Sequence, residues 1–280
     1  MSPPRRLFAI RNIEAARVNL MMNDFAAGLP SPLSFLGLAD LPARRMGLAP
    51  WSARVLPVLH RVHVSDGRTK AEMTRNERKK AGDPESFVPV EIMEDLTGKV
   101  EVSLLIEIPG CDDELDLRRS LTGCRIAGGL IQNDVIDVIP VTADGSAFRE
   151  LRRGYAMVRP DDPQRQRIST GDPEGLRAIA ATLFPAERPQ GFGWIIPAAV
   201  GYRLLEDPDS APKRIRTRSR DVPHVFAEPA VGIAELISVR NPRLTALAED
   251  TLAALLWSWD ARDRLVLGHI DYHPATEAAS

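Results

Sequence analysis

Apolar positions along this chain follow two different periods, and the switches between them mark its elements. Leu7, Phe8, Ala9 and Ile10, continued by Ile13 and Val18, predict a first, mostly buried strand over residues 7–16. Residues 17–27 hold no period. From Leu33 the spacing turns helical through Leu36, Gly37, Leu41 and Met46, with Arg44 and Arg45 closing the run. Ser31 is placed to cap that helix, Pro32 suits its first position, and Gly47 suits the residue just past its end. The stretch GLPSPLSFLGLADLPARRMG, residues 28–47, is therefore the one around which the chain is organised. Its helix N-terminus offers bare N–H groups to an anion, although an ordinary capped helix on a sheet is the commoner use of such a sequence.

Downstream, Val55, Val58, Val62 and Val64 alternate with Arg54, His60, Arg61 and His63, which predicts a second strand over residues 53–64. Residues 87–93 and 99–108 predict two more, KVEVSLLIEI being the clearest in the chain. Residues 112–121 predict a helix with acids at its start and arginines at its end, the arrangement that the helix dipole favours. Further strands are expected at 136–141, near 155 and over 193–205. Helices are expected at 175–184, 231–238 and 245–259, the last with Leu252, Leu255, Leu256 and Trp259 on one face. The proline-bearing residues 160–174 read as a mobile connection and the tail from Pro274 as frayed.

The chain has 280 residues, 44% apolar and 26% charged, with a formal net charge of −2. That composition fits a single globular α+β domain and gives no overall pull toward nucleic acid, so local clusters decide the question. Two stand out. Residues 66–82 gather Arg68, Lys70, Arg75, Arg78, Lys79 and Lys80 with little apolar content, a segment unable to bury itself and equally suited to a binding arm or a solvated loop. Lys213, Arg214, Arg216, Arg218 and Arg220 form a second cluster without an acid among them, whose arginines would share one side if extended. Cys111 and Cys124 are too few for a zinc site or a disulfide framework. No run suits a signal core or a membrane span, which makes a reducing cytoplasm the expected home.

Chemistry is sparse. His60 and His63 are the first residues a catalytic reading would want, but no acid or cysteine stands at triad or ligand spacing beside them. Asn19 and Asn23 suit base edges, or turns. Gly128-Gly129, between a helix and a strand, allows another backbone or a phosphodiester to come close, yet matches neither a P-loop nor a dinucleotide fingerprint. Three classes stay open on these residues: an RNA-binding subunit, an endoribonuclease using His60 or His63 as general base, and an interaction protein whose basic clusters meet an acidic partner.

The order of the pieces adds a resemblance. GLPSPLSFLGLADLPARRMG after a first strand is followed by MTRN in the basic arm, then EVSLLIEI, RIAGGLI, GYAMV, GWIIPAAVGY and a late LLW helix. In that order they resemble the Csy-two family, the Cas-five-type subunit of the type I-F CRISPR surveillance (Csy/Cascade) complex, over nearly the whole chain. The resemblance implies an α+β fold of the RAMP superfamily: a ferredoxin-like (RRM-type) palm in a single domain of residues 1–280, with a basic thumb inserted at about 66–98. It implies a non-catalytic role in antiviral defence, gripping the 5′ handle of a CRISPR RNA. The implied partners are the large subunit, the backbone subunit and, through the assembled complex, target DNA, with no cofactor, metal or membrane. In the thumb it assigns Lys70, Thr74, Arg75 and Asn76 to the RNA, and in the palm Asn19, Ser31, Arg125, Gly128 and Gly129. Arg214, Arg216 and Arg218 are assigned to a partner subunit or DNA.

Overall fold

A computed structural model describes residues 6–23, 26–65, 96–160, 177, 180–187, 191–212 and 224–269. The elements are β1 (Leu7–Asn19), α1 (Pro32–Arg45), β2 (Arg54–Val64), β3 (Thr97–Glu107), α2 (Glu114–Ser120), β4 (Arg125–Ile126), β5 (Gly129–Ile131), β6 (Asp137–Val141), β7 (Tyr155–Val158), β8 (Trp194–Leu204), β9 (Ala227–Ser238), α3 (Pro242–Thr245), β10 (Ser258–Arg262) and β11 (Leu265–His269). Short 3₁₀ turns occupy Gly145–Glu150 and Leu252–Leu255.

All the strands join one eleven-stranded sheet in the order β10-β11-β8-β9-β7-β2-β3-β1-β5-β4, with β6 also on β1. The strand pairs are antiparallel. β1 is irregular at two places, where the register on β3 slips between Ile10 and Ile13 and between Ala15 and Val18. Asn12 and Arg17 sit in those gaps with φ of 53° and 58°, the signature of bulges that bend a strand and increase its twist.

The twist rolls the sheet around α1. Capping follows the sequence closely: the Ser31 side chain accepts from the Leu33 N–H, and Pro32 takes the first turn, where its missing N–H costs nothing. At the other end the Leu48 N–H reaches the Ala43 carbonyl at 2.9 Å and the Gly47 N–H reaches Arg44 at 3.1 Å. Gly47 holds φ of 72°, so the helix ends in a Schellman motif. Leu33, Phe35, Leu36, Leu38, Ala39 and Ala43 are all buried. α1 packs against β2, β8 and β11 alike, because the far edge of the sheet returns to β2: Trp257, just before β10, exchanges backbone bonds of 2.8 and 2.9 Å with Val55. The Trp257 indole N–H then donates to the Met157 carbonyl at 2.8 Å.

The opposite face of the sheet carries a second apolar layer. Leu56, Val58, Leu105 and Ile237 pack there against Phe148, Leu151, Leu244 and Leu252 from the 3₁₀ turns and α3.

The expected α+β ferredoxin-like (RRM-type) palm is corrected by this architecture. The chain builds a single large antiparallel sheet with few helices. The strand-helix-strand rhythm of the first half does not continue. Residues 231–238, expected as a helix, belong to β9, whose Ala234 and Leu236 face the α1 layer while Ile237 faces the other. A strand covered on both faces loses its polar alternation and imitates helical spacing. Residues 245–259 likewise form a 3₁₀ turn and the start of β10 instead of a late helix. Of the expected helix at 175–184, residues 180–183 are helical. β3 begins at Thr97, and the expected strand at 87–93, the connection at 161–174 and the tail from Pro274 lie outside the described residues.

Because α1 is enclosed from several sides, truncating it should be costly on its buried stripe alone. Leu36→Ala is expected to lower unfolding free energy by roughly 2–5 kcal/mol, whereas Leu41→Ala, on the exposed stripe, is expected to cost under about 0.5 kcal/mol. Chemical denaturation of both variants checks the contrast.

Candidate nucleic-acid interface

Several of the expected RNA-binding residues meet at one end of the sheet, where β2 runs out and β3 begins. The Ser65 N–H donates to the Thr97 carbonyl at 2.9 Å, closing a neck from which residues 66–95 depart. Gly98 is a glycine by necessity, since a Cβ there would lie 2.4 Å from the His63 carbonyl oxygen. Asn19 pairs with Thr97 across β1 and β3, and its backbone N–H donates to the Ala127 carbonyl at 3.0 Å. The β4–β5 turn thus lies directly beside the end of β1.

That turn has two central residues, Ala127 with φ of 45° and Gly128 with φ of 81°, the doubly left-handed form that matches the twist of a hairpin. Gly128 is exposed with open space where a side chain would be, and its carbonyl accepts from Arg125 Nη1 at 2.9 Å. Gly129 is different. A Cβ at that position would meet Val18 at 2.6 Å and the Ala16 carbonyl at 2.8 Å, so this glycine admits β1.

Asn19, Arg125, Gly128 and Gly129 are therefore brought together. Asn19 is exposed, and its side-chain oxygen accepts from the Met21 N–H at 2.9 Å. Ser31 is committed elsewhere: its hydroxyl caps α1 and donates to the Ala199 carbonyl of β8. Lys70, Thr74, Arg75 and Asn76 lie outside the described residues, as do Arg214, Arg216 and Arg218. The segment holding the three arginines hangs from a second neck, where the Leu205 N–H meets the Phe226 carbonyl at 2.9 Å. Counting antiparallel strands from β2 through β7 to β9 places that neck at the opposite strand end from the first.

A charged ladder on the face of β1, β3 and β2 was not singled out from sequence. Lys99 bonds Glu14 at 2.6 Å, Arg61 lies 3.7 Å from Glu101, and Arg152 bonds the same Glu101 at 3.0 Å. The Arg152 hydrogen bond is the main cause holding the Glu101 carboxyl below its usual range, and Glu14 raises Lys99. Three cations against two carboxylates leave a cationic surplus, and His63 stands opposite Lys99 in the register. The alternation of Arg61 with His63 and of Lys99 with Glu101 carries the signal, but only the pairing of strands far apart in sequence assembles it.

His60 faces inward beside this ladder. Nδ1 lies 3.0 Å from the Arg153 carbonyl, which can only accept, so Nδ1 carries the proton. Nε2 then accepts from the Ser103 hydroxyl at 2.7 Å, and Ser103 Oγ accepts from the Asn12 N–H at 3.0 Å. Both ring nitrogens are occupied, while His63 is exposed. Burial is the largest cause of the lowered His60 pKa. Cys111 and Cys124 are buried free thiols whose pKa burial raises. Among the described residues no cluster of His, Cys, Asp or Glu is arranged to hold a metal, and no helix is long and apolar enough to cross a membrane.

Comparison with known proteins places these features in a class. Residues 178–267 match the sequence model of a family described as CRISPR-associated protein (Cas_Csy2). The match supports a Csy2 subunit of the type I-F CRISPR Csy complex. It spans GWIIPAAVGY and the LLW segment, whereas the candidate residues of the first neck and the β4–β5 turn lie before it. No curated protein matches the chain.

The His60 chain makes stability depend on pH with a defined sign. Its folded pKa is below the ordinary 6.5, so the unfolded chain takes up the proton first. The contribution of the neutral ring is present above about pH 6.5 and is lost as pH falls through that value toward the folded pKa. Urea midpoints at pH 7.5 and 5.5 should therefore fall on acidification, and should fall less in His60→Gln.

Proposed function

We propose that this Csy2 subunit is a non-catalytic RNA-binding component of its complex, gripping the 5′ handle of the CRISPR RNA at the β2–β3 end of the sheet and pairing with the large subunit beside the first backbone subunit. Target DNA is met through the assembled complex, inside the cell. The observation that carries the reading is the convergence of Asn19, Arg125 and the exposed Gly128 turn on the neck of the segment that contains Lys70, Thr74, Arg75 and Asn76. Arginine supplies bidentate phosphate contacts and asparagine reads base edges, so a single-stranded handle would use both. The cationic surplus of the ladder adds an electrostatic path to the same end of the sheet.

A ribonuclease needs a proton acceptor within reach of the attacking hydroxyl and a group to stabilise the charge that develops. Nε2 of His60 is already bonded to Ser103, which supports the non-catalytic reading over general-base use of that ring.

The reading is tested by handle-RNA binding across a salt series. Arg75→Ala is expected to weaken binding and to flatten the slope of log affinity against log salt by about 0.7, the value for one phosphate contact to a single strand. Asn76→Ala is expected to weaken binding with little change in slope. Replacing Arg214, Arg216 and Arg218 should disturb assembly or DNA capture more than handle affinity. A silent Arg75→Ala, with the 214–218 arginines carrying the whole slope, would overturn the site, and trimming of repeat RNA by the purified chain would restore the nuclease.

A further inference from the structure

The last turn of α1 and the segment after it hold an exposed aromatic in an unusual setting. Trp51 is 57% exposed, whereas the large aromatics Phe8, Phe35 and Phe148 are fully buried. Its φ is 63°, a left-handed conformation that a bulky side chain adopts only when its surroundings impose it. The surroundings here are specific. Asp40, buried in α1, accepts both from the Trp51 backbone N–H and from Arg44 Nε. The Arg44 guanidinium stacks over the indole at 4.6 Å from its centroid, and Trp259 of β10 meets the ring edge-on at 5.1 Å. One buried carboxylate thus fixes both the backbone and the cation that hold an indole out toward solvent.

A cleft of about 660 Å³ opens beside it, lined by Arg45 and Leu48 on one side and by Asp112, Asp113, Asp116 and Arg119 on the other. The cations in that cleft are engaged. Arg45 donates to the Ser120 and Thr122 carbonyls at 2.6 and 2.7 Å, and Arg119 pairs with Asp116 at 3.6 Å. Asp112 and Asp113 are exposed at the mouth. The carboxylates outnumber the cations, which disfavours a phosphate-bearing strand and favours lysine or arginine side chains.

We propose that Trp51, presented by Asp40 and Arg44, and the acidic cleft beside it form a protein-docking surface. Its occupant is a segment of another subunit of the same complex, with an apolar side chain against the indole and basic side chains in the cleft. Tryptophan and arginine are the residue types that most often dominate such contacts, and the carboxylates supply the complementary charge. The proposal rests on the subunit reading above, and places protein contact at the C-terminal end of α1, apart from the candidate RNA residues.

The test uses the full chain co-expressed with the other subunits of its complex and with guide RNA, and measures subunit association by interferometry and native mass spectrometry. Trp51→Ala is expected to weaken association at least tenfold while handle-RNA affinity of the chain stays unchanged. Asp112→Lys, on an exposed position away from the ring, is expected to weaken association as well, and decides the matter if Trp51→Ala proves unstable in a thermal melt. Association unchanged in both folded variants overturns the surface, and so does a loss of RNA affinity in Trp51→Ala, which would make it a nucleic-acid contact. Wild-type association without RNA binding leaves this surface standing and removes the RNA reading; no wild-type association removes both.

Discussion

The backbone exchange between Val55 and Trp257 is the constraint on which the rest depends. Without it the eleven strands would be an open, twisted sheet with α1 resting on one face. With it, β10 and β11 come back toward β2, and the helix is enclosed by strands from both ends of the chain. The indole of Trp257 secures the closure by bonding Met157 of β7, so that β2, β7 and the approach to β10 are held at one point. Burial does the energetic work, because α1 offers apolar side chains around most of its circumference and a flat sheet would cover only one side.

Closure also separates the surface into regions with different chemistry. At the β2–β3 end, three strands and a hairpin turn converge on a neck, and the adjoining sheet face is a ladder of paired charges with a cationic surplus. At the C-terminal end of α1 the exposed side chains are an indole and carboxylates. Their placement on one rigid helix-and-sheet frame would let RNA and a protein neighbour bind without competing.

The legibility of this arrangement in sequence varied for physical reasons. The caps of α1 at Ser31 and Gly47 and the strands β2 and β3 could be read because local chemistry decides them: a capping hydroxyl, a left-handed glycine, runs of β-branched residues. β9 could not, since its two faces are both covered and its spacing carries no period. The large sheet was missed for the same reason, and with it the correct fold class. At the candidate interface, Asn19, Arg125 and the glycine pair were found, but the reasons differ from those expected: Gly128 serves a left-handed turn and Gly129 makes room for β1. Ser31 was misread as an open hydroxyl, because its second partner, Ala199, is 168 residues away. The ladder of Glu14, Arg61, Lys99, Glu101 and Arg152 is assembled from three strands and a loop, and no local pattern announces it.

The hydrogen bond between Ser65 and Thr97 has a consequence for how such a chain can vary. It sets the register of β2 on β3 whatever lies between them, so the intervening segment is mechanically decoupled from the closed sheet. Doubling the length of a flexible connection adds only about 0.6 kcal/mol of closure entropy. Insertions and deletions there cost the fold little, while a single-residue slip within β2 would turn the α1-facing side chains outward. Relatives can therefore diverge in what they grip without renegotiating how they fold.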